Sequence, residues 1–188
     1  MKNQKVGDMN RRHFVQGLVA APLTYGVLAS TAPLGAAFAR GGEQSVALVT
    51  GASSGFGYAT AKTVARNGFH VIASMRNVQG ANAESATTLA DLADKEDLKL
   101  DIVEIDIDSD DSVESGMADA MSRTDRIDVL FNNAGINVPG PIELSMDAAR
   151  QNFETNVFGQ LRMRRAVAPG MRGRRSGLII QMSSGLGR

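Results

Sequence analysis

A glycine-rich segment, T-G-A-S-S-G-F-G at residues 50–57, has the composition of a loop that binds phosphate. It follows the apolar run 46–49 and precedes a helical pattern of apolar residues. Backbone N–H groups at a helix start lack partners, the helix dipole adds positive charge, and glycines let a pyrophosphate approach closely. An ordinary strand-to-helix loop could also contain three glycines. The strand before and the helix after favour a dinucleotide-binding loop, with contacts expected from Gly51, Ser53, Ser54, Gly55, Phe56 and Gly57.

Three further motifs follow along the chain. N-N-A-G at 132–135 comes after the apolar run 127–131, Asn156 lies in E-T-N-V-F-G, and Ser183-Ser184 closes the apolar run 178–182. The glycine spacing, G-x-x-x-G-x-G, differs from the commonest dinucleotide fingerprint. Together, these motifs resemble the classical branch of the short-chain dehydrogenase/reductase family. The resemblance extends from about residue 45 to the last residue.

The resemblance implies an oxidoreductase that transfers hydride between a nicotinamide and the carbon of a small-molecule carbonyl or alcohol substrate. Ser184 matches the family's catalytic serine, which holds the substrate oxygen, and Ser183 is the less favoured choice. Asn156 matches the asparagine that anchors a water relay; the alternative is a polar residue on a helix face. The resemblance also implies that four residues line the cofactor and brace the centre of the sheet: Asn132, Asn133, Ala134 and Gly135.

The family's catalytic tyrosine and lysine, in Y-x-x-x-K, come after the serine, whereas this sequence ends at Arg188. Tyr58 and Lys62 have the same spacing, but they lie at the start of the phosphate-binding helix, so we do not assign them to catalysis. We therefore expect a C-terminally truncated chain that is inactive by the family mechanism. The alternative is a non-catalytic NAD(P)-binding protein or a decayed gene product.

The residues after the second predicted strand favour NADP over NAD. An acidic residue there would bond the ribose 2′-hydroxyl of NAD, while an arginine would accept a 2′-phosphate. This sequence reads A-S-M-R-N at 73–77, and Arg76 supplies a planar cation suited to phosphate. The alternative is a solvent-exposed arginine without a ligand. Asp106 and Ile107, ending the third strand, match the family's adenine contact.

The alternation of strands and helices predicts an α/β fold. We expect strands at 46–50, 70–75, 98–105, 127–131 and 178–182, and helices at 57–67, 83–95, 110–123 and 146–168. Pro169-Gly170 is expected to stop the last helix, and Met117 and Met121 are expected to fill the core. The predicted architecture is a Rossmann-type, doubly wound parallel sheet in three α/β/α layers, incomplete after the fifth strand.

Residues 1–39 are predicted to be an export signal that precedes the NAD(P)-binding domain at 40–188. The segment has a basic start, a mildly apolar middle and a small-x-small site at 37–39. Arg11 and Arg12 resemble a twin-arginine signal, which predicts a periplasmic location. Glycines and prolines make the segment a poor membrane-spanning helix. The alternative is a disordered or interfacial tail, and a cytoplasmic protein if the signal is unused.

The composition argues against two kinds of ligand, nucleic acid and metal ions. Lys+Arg and Asp+Glu both number 20, so the chain lacks the excess positive charge of a nucleic-acid coat. An arginine run at 162–175 is interpreted as a solvated helix face, with a phosphate or partner patch as the alternative. The sequence has no cysteine, and its two histidines lack ligand spacing, so we expect no metal. A full-length form is expected to be capable of forming a homo-oligomer.

Overall fold

The five strands of this computed structural model form one parallel sheet in the order β3-β2-β1-β4-β5. The structure describes residues 44–137 and 145–183. The strands are β1 Val46–Thr50, β2 His70–Met75, β3 Leu100–Glu104, β4 Val129–Asn132 and β5 Leu178–Gln181. All five residues of β1 are buried, as expected for the central strand of a sheet covered on both faces. This confirms the predicted doubly wound α/β fold.

Helices cover both faces of the sheet. They are α1 Gly55–Arg66, α2 Ala83–Lys95, α3 Asp110–Arg123, α4 Met146–Phe153 and α5 Gln160–Arg174, with a π-helical segment, Glu154–Gly159, between the last two. One core cluster joins α1 and α2 to the sheet through side chains such as Ala61 and Leu89. The other joins α3 and α5 through side chains such as Val113 and Met163. The three predicted layers are therefore present.

The chain reverses its direction of winding at β1. β2 lies on one side of β1 and β4 on the other, so the connections leaving the carboxyl ends of β1 and β4 diverge. In an open parallel sheet, a crevice forms at this point, and ligands bind there. The topology therefore predicts a ligand site at the carboxyl edge of β1 and β4.

The prediction that Pro169-Gly170 stops the last helix is wrong. Pro169 lies inside α5, which continues to Arg174 and ends where Arg175 adopts a left-handed conformation (φ 53°). A proline inside a helix costs about 3 kcal/mol. Val167 and Met171, on either side of Pro169, are both buried in the core, and burying such side chains contributes about 1.5–3 kcal/mol each. Packing therefore outweighs the local signal.

Two smaller differences concern the same face of the sheet. The helix predicted at 146–168 is not uniform, because residues Glu154–Gly159 form a π-helical segment. Met117 packs partly buried against the core as predicted, but Met121 is exposed.

No helix among residues 44–137 and 145–183 is long and apolar enough to cross a membrane.

Candidate dinucleotide-binding site

A cavity of about 450 Å³ lies at the carboxyl edge of the sheet. Its lining comes from the loops after β1, β2, β3 and β4, together with Asn82 and Thr155. Every predicted cofactor residue except Asn132 lines it: Gly51, Ser53, Ser54, Gly55, Phe56, Gly57, Arg76, Asp106, Ile107, Asn133, Ala134 and Gly135. The structure thus brings together residues that are far apart in the sequence.

The glycine loop, residues 50–57, requires its glycines for two different reasons. Gly51 and Gly55 have φ values of 68° and 53°, a left-handed conformation that side chains disfavour. At Gly57 the reason is space, because a Cβ atom there would lie 2.0 Å from the carbonyl oxygen of Gly51. The same added atom would lie 2.6 Å from the Nδ2 atom of Asn133. The loop and the start of α1 are therefore in closer contact than any other residue permits.

The start of α1 is suited to an anion. Ser54 precedes the helix, and its side chain makes no capping hydrogen bond. The first N–H groups of a helix have no intrahelical acceptors, and the first turn of α1 contains no acidic residue. Gly55, Phe56 and Gly57 of this turn line the cavity. The helix start and the cavity together are therefore suited to an anion such as a phosphate group.

Thr50 joins the loops after β1 and β4. Its Oγ1 atom accepts the N–H groups of Asn133 and Ala134, both at 2.9 Å. The Asn133 side chain returns the contact, since its Nδ2 atom donates to the carbonyl oxygens of Thr50 at 2.9 Å and of Gly51 at 3.4 Å. Sequence reasoning placed Thr50 in the motif without a role. Its position directly before the first glycine was the available signal.

Asn132 braces the sheet and does not line the cavity. Its side chain is fully buried, and its Nδ2 atom donates to the carbonyl oxygen of Gln160 at 2.8 Å and to Oε1 of Gln181 at 3.2 Å. The side chains of Gln160 and Gln181 also contact each other, and Gln160 Nε2 donates to the carbonyl oxygen of Ala134 at 2.9 Å. This polar network links β4, β5 and α5 behind the N-N-A-G loop. Neither glutamine was singled out from the sequence.

Asn156 holds the far end of the N-N-A-G loop. It lies in the π-helical segment, where its Oδ1 atom accepts the N–H of Ile136 at 2.9 Å and its Nδ2 atom donates to the Ile136 carbonyl oxygen at 2.8 Å. A Cβ atom on Gly135 would lie 2.9 Å from Asn156 Oδ1. The amide therefore fixes a loop that lines the cavity. Ser184 lies outside the described residues, while Ser183 is exposed just after β5.

The end of the cavity next to β2 and β3 contains Arg76, Asp106 and Ile107. Two hydrogen bonds hold Asp106 in place. Its backbone N–H donates to the Ser112 hydroxyl at 2.9 Å, and its side-chain Oδ1 atom accepts the N–H of Asp108 at 3.1 Å. Within the described residues, the Arg76 side chain has no hydrogen-bond or ion-pair partner, and it is exposed at the cavity. An unpaired guanidinium at this edge can bind a phosphate by donating two parallel hydrogen bonds to its oxygens.

Arg162 packs behind the cavity lining and is not part of a solvated helix face, as the arginine run at 162–175 was predicted to be. Its guanidinium pairs with Asp110 at 3.0 Å and Glu154 at 2.6 Å, and it donates to the carbonyl oxygen of Ile107 at 3.2 Å. The hydrogen bond to Glu154 is the main reason that the pKa of Arg162 lies above its ordinary value. Arg162 therefore connects α3, α5 and the π-helical segment to a residue that lines the cavity.

Other sequence candidates lie away from this chemistry. Tyr58 and Lys62 contact each other on α1, with Lys62 Nζ 5.4 Å from the centre of the Tyr58 ring, and neither lines the cavity. Among residues 44–137 and 145–183, no group of three histidine or acidic side chains is arranged to hold a metal ion. Residues 1–39, the predicted export signal, lie outside the described residues.

Comparison with known proteins agrees with this arrangement. The family model for short chain dehydrogenase matches residues 45–188. A 3-amino-tetrahydro-pyrrolizinone reductase from Xenorhabdus hominickii is 38% identical over 143 residues, which are 74% of this chain and 46% of the relative. A short-chain dehydrogenase structure from Streptomyces avermitilis has 37% identity and a TM-score of 0.66, over 74% of this chain and 49% of that one.

A third similar protein was solved with a cofactor. It is a gluconate 5-dehydrogenase from Burkholderia cenocepacia in complex with NADP and tartrate, with 29% identity and a TM-score of 0.64, over 72% of this chain and 51% of that one. The chain thus spans about half the length of the relatives it matches. The glycine loop, the N-N-A-G loop and the family match over residues 45–188 show that this chain belongs to the short-chain dehydrogenase family.

Proposed function

We propose that this chain is the NADP-binding part of an oxidoreductase that interconverts a carbonyl and an alcohol. The observation that carries the proposal is the single cavity lined by the glycine loop, Arg76, Asp106 and the N-N-A-G loop. The similarity to a gluconate 5-dehydrogenase solved with NADP supports the choice of cofactor. When bound, NADP would supply the hydride acceptor, and NADPH the donor.

The residues present fit such a cofactor. The N–H groups at the start of α1 would bind the pyrophosphate, and nothing lies within 4 Å of the Cβ position of Gly55, so the backbone there is open to it. Arg76 would pair with the 2′-phosphate. Asp106 and Ile107 would contact the adenine, and Asn133, Ala134 and Gly135 would line the rest of the cofactor. The unpartnered guanidinium of Arg76 in the described structure is what favours NADP over NAD.

The catalytic roles are proposals for the whole protein. Ser184 would hold the substrate oxygen, with Ser183 as the less favoured choice. Asn156 would anchor a water relay. A side-chain amide has two acceptor and two donor positions, and Ile136 takes one of each. One donor and one acceptor position therefore remain for water.

A second candidate function is nucleotide binding without turnover. The sequence has one Y-x-x-x-K segment, from Tyr58 to Lys62, and it lies on α1 away from the cavity lining. Binding and turnover measurements on the same preparation separate the two candidates. Saturable NADPH uptake with no oxidation of NADPH by any of a panel of ketones and aldehydes favours the binding protein, whereas steady oxidation favours the enzyme.

The choice of cofactor is tested by titrating the full chain with NADPH and NADH and following the fluorescence of the reduced nicotinamide. We expect NADPH to bind about tenfold more tightly or better, because a charge-assisted contact is worth about 1.5–3 kcal/mol. Arg76→Ala should remove most of that difference and leave NADH binding within about twofold. An equal loss for both cofactors, or no loss, rejects the role of Arg76.

We also propose that residues 1–39 direct export to the periplasm by a twin-arginine route. The support is the Arg11-Arg12 pair and the small-x-small site at 37–39. A fusion of residues 1–39 to a reporter that works only in the periplasm should show activity. Changing both arginines to lysine should abolish it, and reporter activity that survives the change argues for another route.

A further inference from the structure

Asn82 occupies a position where its side chain would normally cap a helix, but it does not do so. It is the residue directly before α2, and asparagine there usually accepts an N–H from the first turn. In this structure the Asn82 side chain makes no capping hydrogen bond. The amide is instead turned toward the β2–α2 turn, residues 76–82.

The Asn82 amide contacts Arg76. The Nδ2 atom of Asn82 donates to the carbonyl oxygen of Arg76 at 2.6 Å. Both residues line the cavity, and the Arg76 side chain itself has no hydrogen-bond or ion-pair partner in the described part of the chain. The Asn82 amide therefore reaches the Arg76 backbone from the start of α2.

The rest of the turn is built to hold this geometry. Asn77 has a left-handed conformation (φ 50°), and its carbonyl oxygen accepts the N–H groups of Gly80 at 3.0 Å and of Asn82 at 3.1 Å. The Glu104 carboxylate, at the end of β3, accepts the N–H of Val78 at 3.3 Å. The Asn82 amide therefore completes a turn whose other end is already fixed, and it holds the backbone of Arg76, whose guanidinium is exposed at the cavity.

We propose that Asn82 is a positioning residue for 2′-phosphate recognition: it holds the backbone of Arg76 so that the guanidinium faces the adenosine end of the cavity. The inference rests on the proposed function, in which Arg76 binds the 2′-phosphate. Asn82 acts through Arg76 and contributes to the preference for NADPH over NADH. Without the amide contact, Arg76 would still be present, but ordering it on binding would cost more conformational entropy.

A double-mutant cycle tests the inference in the full chain. Dissociation constants for NADPH and NADH are measured by nicotinamide fluorescence for the wild type, Arg76→Ala, Asn82→Ala and the double variant. Asn82→Ala should weaken NADPH binding about three- to tenfold, the worth of one hydrogen bond, and change NADH binding less than about twofold. In the Arg76→Ala background, Asn82→Ala should change NADPH binding less than about twofold.

Thr87→Ala is the matched control. Thr87 lies on α2, its hydroxyl donates to the Ala83 carbonyl oxygen at 3.0 Å, and it does not line the cavity. The control should leave both dissociation constants unchanged. Asn82→Ser gives a second comparison, because serine suits a helix start but reaches less far. A loss specific to NADPH in either Asn82 variant supports the inference, and equal losses of NADPH and NADH in both reject it.

The cycle separates this inference from the proposed function. If Arg76→Ala abolishes the preference for NADPH while Asn82→Ala leaves it intact, only the role of Asn82 fails. An Asn82→Ala effect that persists undiminished without Arg76 also overturns it. If Arg76→Ala itself leaves the preference unchanged, the proposed 2′-phosphate site fails, and the inference fails with it.

Discussion

Thr50 and Asn133 hold each other by two hydrogen bonds of 2.9 Å, one from the Asn133 backbone to Thr50 Oγ1 and one from the Asn133 side chain to the Thr50 carbonyl oxygen. The two residues are 83 positions apart in the sequence, and each begins a loop that lines the cavity. The two loops are therefore one hydrogen-bonded unit across β1 and β4.

Replacing Thr50 with valine tests that unit. Valine keeps the shape but leaves the N–H groups of Asn133 and Ala134 without their acceptor, so the free energy of unfolding should fall by about 1–3 kcal/mol. NADPH binding should weaken as well. Thr50→Ser, which keeps the hydroxyl, should stay close to the wild type in urea unfolding. Equal stability of the valine and serine variants would show that the hydroxyl is dispensable.

Two glycine-to-alanine changes compare a glycine that has no room for a side chain with a helical glycine that has room. At Gly57 the added Cβ would lie 2.0 Å from the Gly51 carbonyl oxygen, so overpacking should cost about 1–3 kcal/mol and disturb the phosphate loop. Gly173 in α5 has nothing within 4 Å, so alanine there should stabilise the protein by about 0.5–1 kcal/mol. Thermal unfolding of both variants measures the contrast. Similar melting temperatures for the two would contradict the close approach at Gly57.

Asn156→Ala should loosen the N-N-A-G loop. The change removes both hydrogen bonds to the Ile136 backbone, and we expect a loss of about 1–2 kcal/mol together with faster hydrogen exchange at the Ile136 amide. Arg165→Ala, at an exposed position of α5, is the control and should alter neither. Unchanged exchange at Ile136 in the Asn156 variant would exclude the positioning role.

Pro169→Ala should stabilise the protein. Pro169 is exposed within α5, so alanine leaves no cavity there while restoring a backbone N–H donor to the helix. The expected gain in the free energy of unfolding is about 1–3 kcal/mol, less the entropy that proline removes from the unfolded chain. Chemical denaturation measures it. A loss of stability would mean that Pro169 has a role that the helix geometry does not show.

The elements predictable from sequence were those whose local signals agree with their packing. The bounds of β1, β2, α2 and α3 match the prediction residue for residue. At α3, Ser109 caps the helix by accepting the Ser112 N–H. α5 was mispredicted because Pro169 is a strong local stop signal, and the burial of Met171 that overrides it depends on the sheet beneath.

The cavity lining was predictable to a larger extent than the contacts that hold it. Glycine spacing and strand ends indicated the residues that meet at the carboxyl edge. The contacts of Thr50 and Gln160 with Ala134, and of Arg162 with Ile107, join residues between 26 and 84 positions apart, and no spacing rule reports such pairs. Asn82 shows the same limit, because only the structure shows that its amide donates to the Arg76 carbonyl oxygen.

Hydrogen–deuterium exchange of the full chain with and without NADPH tests the central claim most directly. If the diphosphate binds the start of α1, amides of residues 51–57 should exchange more slowly with NADPH bound. Exchange of the amides at the exposed carboxyl end of α2, near Lys95, should not change. Saturating NADPH that leaves residues 51–57 unprotected, or that protects another surface instead, would contradict the account.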